Sequence, residues 1–172
     1  MDRLTLIFVP TAETRTLDTD LTPWGRTQLR FLADALEERG LVPDVVAYSA
    51  ASHPTKTGFP LAKHFNRIGG KTERALLSYR ETPSADTVRG RIYHWDPEET
   101  KTGLFVLHPV TTRELVSHFT GGKRNLAWGE VNEGGGAVVV SAARGQGWGD
   151  FGKRAPQVTL IPPPSRGVYI AY

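Results

Sequence analysis

Residues 4–14 read Leu-Thr-Leu-Ile-Phe-Val-Pro-Thr-Ala-Glu-Thr, and residues 21–26 read Leu-Thr-Pro-Trp-Gly-Arg. The near-continuous apolar run over residues 4–9 is typical of a parallel strand that is buried on both faces. Thr22 can cap the free amides of a helix, and Pro23 suits the first helical position because its ring fixes φ near the helical value. These two segments therefore predict a buried strand, a short loop and a helix, which together form the first unit of an α/β sheet.

Strand and helix patterns alternate along the rest of the chain. Further strands are predicted at residues 44–48, 75–77, 104–107, 137–140 and 158–161. Helices are expected from Pro23 to Gly40, from Pro54 to Phe65, from a Ser84 cap to Asp96-Pro97, and from a Thr111 or Thr112 cap to Gly121-Gly122. The glycine-rich stretch 144–155 is interpreted as a loop, and residues 167–172 as an edge strand. The alternation predicts one domain over residues 1–172, a three-layer α/β/α sandwich with a mostly parallel central sheet.

The composition excludes several classes of function. The net charge is only +3 and no basic block exceeds two residues, so nucleic acid is not expected as the main partner. No apolar run approaches the roughly 20 residues that cross a bilayer, and no signal-peptide pattern is present, so a cytoplasmic location without membrane contact is expected. The absence of cysteine excludes disulfides, thiolate metal sites and a cysteine nucleophile. No histidine–carboxylate spacing resembles a metal site, and no cofactor is expected.

Three motifs fall where parallel strands are expected to end, which is where α/β sheets bind ligands. They are the opening quoted above, residues 49–57 followed by Pro60-Leu61-Ala62, and Leu107-His108-Pro109. Over residues 3–164, their order and spacing resemble the histidine phosphatase superfamily, and in particular its short phosphohistidine-phosphatase branch. That family carries Arg-His-Gly/Ala-Glu-Thr with Leu-Thr-x-x-Gly, then Ser-Pro-x-x-Arg-Ala-x-x-Thr, then Val-x-His. The resemblance implies a phosphoglycerate mutase-like fold.

The resemblance also implies a phosphate site, and most of its chemistry is missing here. In the family, the first histidine attacks phosphorus, while two arginines and the second histidine hold the phosphoryl oxygens. The nucleophile position is Thr11, the arginine positions are Pro10 and His53, and only His108 is retained. A threonine hydroxyl is a poor nucleophile near neutral pH without a base, and proline offers no hydrogen-bond donor. The expected protein is therefore a pseudophosphatase that binds a protein partner or a small anionic or phosphorylated ligand.

Two other functions stay open at this point. One is an active phosphatase or phosphotransferase with a rearranged site, in which His108 is the nucleophile or base and other arginines replace the lost guanidinium groups. The other is a purely structural subunit of a larger assembly. The candidate anion-binding residues are Thr11, Arg15, His53, His108, Arg113 and Arg144.

Ordinary structural roles fit several of the same residues. Arg15 at the surface, Thr11 as a loop hydroxyl and His108 bonded to nearby backbone would each suit this sequence. Glu81 and Asp86 fall where longer family members carry an acidic proton donor. Trp128 and Trp148 lie in glycine-rich segments, as core anchors or as exposed contacts for a partner.

Overall fold

The structure is a computed structural model that describes residues 3–15, 20–50, 52–66, 71–74, 83–121, 133–145, 147–153 and 156–166. The strands in these ranges are β1 (Arg3–Phe8), β2 (Val45–Tyr48), β3 (Lys71–Arg74), β4 (Thr102–Val106), β5 (Ala137–Ala143) and β6 (Gln157–Ile161). The helices are α1 (Pro23–Glu38), α2 (Ser52–Asn66), α3 (Ala85–Tyr93) and α4 (Pro109–Phe119), with a 3-10 helix at Trp148–Lys153.

The described strands form one mixed sheet with the order β3-β2-β4-β1-β5-β6. The first four strands in this order run parallel to one another, whereas β5 is antiparallel to both β1 and β6. The register pairs Phe8 with Val138 and Arg3 with Ala143. The beginning of β5 therefore lies beside the end of β1, and the end of β5 lies beside the beginning of β1.

Alternating side chains of β1 pack against helices on opposite faces of the sheet. Leu4, Leu6 and Phe8 join the core formed with α3, α4 and the 3-10 helix, while Ile7 and Val9 join the core formed with α1 and α2. All five are completely buried, and each such side chain contributes about 1.5–3 kcal/mol of hydrophobic stabilisation. The arrangement is a three-layer α/β/α sandwich, as the sequence predicts. Among the described helices, none has both the length and the apolar character needed to cross a membrane.

Some boundaries differ from those expected. A strand lies at Lys71–Arg74, and the strand expected at residues 75–77 falls outside the described ranges. Helix α3 ends at Tyr93 because the chain turns at Asp96, whose carboxylate accepts a hydrogen bond from the Glu98 amide at 2.9 Å. Trp95 is therefore outside the helix, although its ring still stacks on Phe105 at 5.5 Å.

The glycine-rich stretch 144–155 contains a 3-10 helix and is not a loop throughout. Trp148 causes this order, because its ring is buried in the core and its indole N–H donates to the Thr100 carbonyl oxygen at 2.9 Å. Trp148 is thus a core anchor and not an exposed partner contact. Trp128 and the expected edge strand at 167–172 lie outside the described residues.

Helix α4 begins a turn earlier than a Thr111 or Thr112 cap would place it. Its cap is His108, whose Nδ1 accepts a hydrogen bond from the Val110 amide at 3.2 Å, and Pro109 occupies the first helical turn. The two threonines are buried within the helix, where Thr111 donates to the Pro83 carbonyl at 2.7 Å and Thr112 to the His108 carbonyl at 3.1 Å. The start of α4 therefore fixes the position of the one retained family histidine.

Candidate functional site

The carboxyl ends of β1, β2 and β4 lie side by side at one edge of the sheet. β1 leads into Pro10 and Thr11, β2 into Ser49, and β4 into His108. His53 follows in the first turn of α2, although its side chain is outside the described part of the structure. The fold thus brings to one edge the positions that the sequence assigns to a remnant phosphate pocket.

Two hydrogen bonds from its own backbone hold the loop after β1. The Ala12 amide donates to the Thr57 hydroxyl at 2.8 Å, and the Glu13 amide donates to Gln28 Oε1 at 2.8 Å. Thr57 and Gln28 are both buried, and an unsatisfied buried amide would cost about 1–3 kcal/mol. Thr57 is the final threonine of the second motif. Thr57, and with it this part of the motif, therefore stabilises the conformation of the loop and does not take part in the chemistry.

The Glu13 side chain ties the same loop to the start of α1. One carboxylate oxygen accepts from the Thr22 hydroxyl at 2.8 Å, and this hydroxyl also caps α1 by accepting from the Gly25 amide at 3.0 Å. The other oxygen is paired with Arg166. The hydrogen bonds from Thr22 and Arg166 lower the pKa of Glu13. A carboxylate with a lowered pKa and two partners is a weak base, so Glu13 is poorly suited to activate Thr11.

Thr11 itself occupies the tip of β1. Its side chain is half-buried and Pro10 before it is buried. Within the described ranges, no hydrogen bond joins the Thr11 hydroxyl to another group. Hydroxyl nucleophiles need a neighbouring base or a metal ion to react at neutral pH. The described part of the site therefore offers no activated nucleophile at this position.

One ring nitrogen of His108 is hydrogen-bonded, and the other has no partner within the described ranges. Because a backbone amide can only donate, the bond from Val110 identifies Nδ1 as the unprotonated nitrogen. The proton of the neutral ring is then on Nε2, and the ring is exposed at the edge of the sheet. An Nε2–H group can donate to an oxygen of a bound anion. It cannot attack phosphorus, because its lone pair is occupied by the proton.

Of the candidate arginines, Arg144 lies far from the remnant pocket. Arg144 lies at the opposite edge, because β5 is antiparallel and its end pairs with the beginning of β1. At ~3.4 Å per residue, this edge is roughly 17 Å from the tip of β1. Arg144 is paired there with Glu98, so it does not reach the remnant pocket. The position of Arg144 just after a strand is as predicted, but the residue pattern of a single strand carries no information on its direction in the sheet.

The remaining candidates are exposed or outside the described residues. Arg15 is exposed; the pKa of Asp20 is lowered chiefly by the hydrogen bond and charge of Lys56, and the charge of Arg15 acts in the same direction. Arg113 is exposed on α4. Asp86 is paired with Arg89 of its own helix, and Glu81 is not described. The described residues contain no cluster of three or more histidine, aspartate or glutamate side chains that could hold a metal ion.

An open groove with a volume of about 600 Å³ lies beside the tip of β1. We call it the Thr11 groove. Its lining includes Thr11, Glu13, Trp24, Gln28, Glu133 and Arg166. The Arg166 guanidinium lies 5.3 Å from the centre of the Trp24 ring while it pairs with Glu13. This groove therefore carries two carboxylates and one guanidinium that is already engaged, so its charge does not favour a free anion.

Gln28 and Arg166 belong to the site although neither is among the candidates predicted from the sequence. Gln28 gave a signal, because it is a polar residue on the buried helical face that also carries Gly25, Leu29 and Leu32. Arg166 gave none, since it is 153 positions away from the Glu13 that it contacts. Contacts at such separation depend on the complete fold.

Comparison with known proteins identifies the fold. No protein-family model and no curated protein matches the chain. Among solved structures, a protein assigned as the phosphohistidine phosphatase SixA from Nakamurella multipartitia is 18% identical, with 96% of this chain and 99% of that chain covered and a TM-score of 0.65. The protein histidine phosphatase SixA complexed with tungstate is 10% identical, with coverage of 92% and 97% and a TM-score of 0.62. Phosphoglycerate mutase from Plasmodium falciparum is 12% identical, with coverage of 92% and 90% and a TM-score of 0.60.

These matches extend over nearly the whole of each chain. The chain therefore has the phosphoglycerate mutase-like fold of the histidine phosphatases. This confirms the fold that the three sequence motifs imply.

Proposed function

We propose that this protein is a catalytically degenerate histidine-phosphatase-like protein that acts by binding a protein partner or a small anionic or phosphorylated ligand. The observation that carries the proposal is Thr11 at the tip of β1. It stands where the resembling family has its nucleophilic histidine, and no base is bonded to its hydroxyl in the described part of the chain. Without an activated nucleophile, the first covalent step of the family's reaction has no group to perform it.

The loss of the phosphate clamps adds to the loss of the nucleophile. Pro10 and His53 stand where the family has arginines. Removing a single group that stabilises transition-state charge typically lowers kcat by about 10²–10³. Two such losses together with the nucleophile would reduce turnover below any useful rate, since each tenfold corresponds to about 1.4 kcal/mol.

The support of the loop, in contrast, is intact. The Thr57 and Gln28 side chains accept hydrogen bonds of 2.8 Å from the backbone amides after β1, and the Thr22 hydroxyl binds the Glu13 carboxylate at 2.8 Å. A loop that keeps its shape without its reactive groups fits a binding surface. An oxyanion ligand is supported by the exposed His108 ring, whose Nε2–H has no acceptor within the described residues, next to the first turn of α4, where helix amides favour negative charge. It is also supported by the SixA structure of the same fold that holds tungstate.

A second candidate is an active phosphatase that uses His108. The exposed position of this retained histidine at the edge of the sheet favours it. The hydrogen bond from Val110 argues against a nucleophilic role, because attack through Nε2 would require the proton to move to Nδ1 and the helix cap to break. The ring is better suited to donate a proton or a hydrogen bond than to form a phosphoramidate.

A turnover assay distinguishes the two candidates. The purified protein is incubated with para-nitrophenyl phosphate and, separately, with a phosphohistidine peptide. We expect no phosphate release above the rate in buffer alone. We also expect the mass of the intact chain not to increase by roughly 80 Da, the mass of one phosphoryl group. Phosphate release that disappears in His108→Asn and persists in Lys63→Ala, an exposed residue of α2, would refute the degenerate site.

Tungstate binding tests the anion ligand. His108→Asn retains a good helix-capping side chain but removes the imidazole, so the protein should stay folded while its affinity for tungstate falls about tenfold. His108→Ala should lose both the affinity and about 1 kcal/mol of stability. Calorimetric titration measures the first effect and urea unfolding the second. Equal affinity in the wild type and in His108→Asn would show that the anion binds elsewhere.

A further inference from the structure

We propose that the Thr11 groove binds a neutral polyhydroxylated ligand, a sugar or polyol, through the side chains of Gln28 and Thr11. The inference rests on the proposed binding role, because the ligand is held without being hydrolysed. It adds a ligand class that differs from the anion expected near His108.

Gln28 is the first reason. Its side chain is only 4% exposed, and its Oε1 accepts the Glu13 amide, which fixes the orientation of the amide group. Its Nε2 therefore carries two N–H donors, and no acceptor bonds to them within the described ranges. Gln28 lines the groove, and no fully enclosed side-chain nitrogen or oxygen lacks a partner among the described residues. A donor in this position favours a ligand that supplies an oxygen acceptor.

The other polar groups of the groove complete a mixed set of donors and acceptors. The Thr11 hydroxyl can donate and accept, and it has no partner among the described residues. The exposed Ser165 hydroxyl can do the same, while Glu133 is an exposed carboxylate that only accepts. Neighbouring hydroxyl groups of a sugar both donate and accept, so one ligand can satisfy the amide, the hydroxyls and the carboxylate together.

The charges of the groove exclude a phosphate group as its preferred ligand. Glu13 and Glu133 are the acidic groups, and Arg166 is the only basic group in the described lining. The guanidinium of Arg166 is paired with Glu13 and covers one face of Trp24. A phosphate would meet an uncompensated carboxylate, whereas a neutral ligand would not.

The groove also has an apolar wall and a suitable size. Trp24, Pro163 and Pro164 contribute flat apolar surface against which the C–H face of a sugar ring can pack. The volume of about 600 Å³ lies within the range of roughly 300–1,000 Å³ for small-molecule sites. An apolar wall with a few directed polar groups is the usual composition of such a site.

Ligand-observed NMR with glucose, trehalose and myo-inositol as probes tests the inference, and calorimetry gives the affinities. Gln28→Glu keeps an oxygen for the Glu13 amide but replaces the two N–H donors by an acceptor. Thr11→Val removes the hydroxyl at nearly constant shape, and Lys63→Ala is the control outside the groove. At least one probe should bind the wild type and Lys63→Ala with equal affinity. Its affinity should be about tenfold lower for Gln28→Glu and several-fold lower for Thr11→Val. Inorganic phosphate should not compete.

Three results would each overturn the inference. None of the three probes binds, or both Gln28→Glu and Thr11→Val bind the probe as tightly as the wild type does, or inorganic phosphate displaces the probe. If Gln28→Glu fails to fold, Thr11→Val alone decides, because the Thr11 side chain is only half-buried and has no described partner. A failure of the sugar-binding inference can be distinguished from a failure of the proposed function. Absence of sugar binding leaves the inactive site in place, whereas phosphate release in the turnover assay removes it.

Discussion

Gly25 lets the start of α1 lie directly against the loop at the tip of β1. A Cβ atom at this position would come within 2.2 Å of the Glu13 carbonyl oxygen. The glycine of the Leu-Thr-x-x-Gly motif is therefore required by close packing. The packing brings the Thr22 hydroxyl to its acceptor on Glu13 and so helps to define the loop that carries Thr11.

Gly25→Ala should destabilise the protein by about 1–3 kcal/mol, because backbone must shift to remove the clash. Intrinsic helix propensity predicts the opposite sign, since alanine is normally favoured over glycine by about 1 kcal/mol inside a helix. Gly90→Ala is the matched control, because a Cβ at Gly90 of α3 meets no atom within 4 Å. Gly90→Ala should be stabilising by about 0.5–1 kcal/mol in urea unfolding. Equal effects of the two substitutions would contradict the close approach at Gly25.

At the scale of elements, a polar cluster joins α3 and α4. His118 Nε2 lies 2.7 Å from the Tyr93 hydroxyl, and His118 Nδ1 lies 3.4 Å from an Arg89 nitrogen. Because arginine can only donate, Nδ1 accepts and Nε2–H donates to the tyrosine oxygen, so the neutral ring satisfies both contacts. Burial, and secondly the charge of Arg89, lower the pKa of His118, while Asp86 acts in the opposite direction.

The lowered pKa predicts the direction of a pH effect on stability. Between the folded pKa of His118 and its unfolded value near 6.5, the unfolded chain binds more protons than the folded chain, so stability falls as the pH falls. The contribution is complete above about pH 6.5 and is lost as the pH decreases through the folded pKa. The unfolding free energy of the wild type should therefore decrease relative to that of His118→Gln between about pH 7.5 and pH 5. A pH-independent difference between the two proteins would contradict this assignment.

At the scale of the molecule, the proposed degeneracy concerns individual side chains, whereas the fold places the corresponding positions together. Parallel strands bring the tip of β1, the end of β4 and the first turn of α2 to one edge. If the degeneracy lies only in side chains, the family's residues should function when they are restored. The proposed function can therefore be tested by a gain of phosphatase activity in a variant, as well as by the absence of activity in the wild type.

The combined substitution Pro10→Arg, Thr11→His and His53→Arg should raise hydrolysis of para-nitrophenyl phosphate by about a hundredfold or more over the wild type. The gain should disappear when Thr11 is restored in the same background, because the new histidine supplies the nucleophile. Steady-state phosphate release measures both effects. A folded but inactive variant would indicate that the surrounding loop, and not only these three positions, has lost the geometry for catalysis.

Local signals in the sequence predicted most of the elements correctly. Thr22 caps α1 and Ser84 caps α3, as expected from hydroxyl side chains before a helical pattern. The predicted cap of α4 at Thr111 or Thr112 is wrong, because His108 is an uncommon capping residue and the two nearby threonines have the higher capping preference. The sequence around Trp148 does not distinguish a core position from an exposed one, since glycine neighbours suit both, and only the structure shows that its ring is buried.

The sequence by itself determined the buried first strand and the order of strands and helices, and it predicts that Thr11 stands at the nucleophile position of the family that it resembles. These depend on side-chain pattern and identity along a short stretch of chain. Only the tertiary structure decided the direction of β5, which removes Arg144 from the site, and the meeting of Arg166 with Glu13 and Trp24. Strand direction and contacts between distant segments follow from packing the whole sheet, and no local preference of the residues involved encodes them.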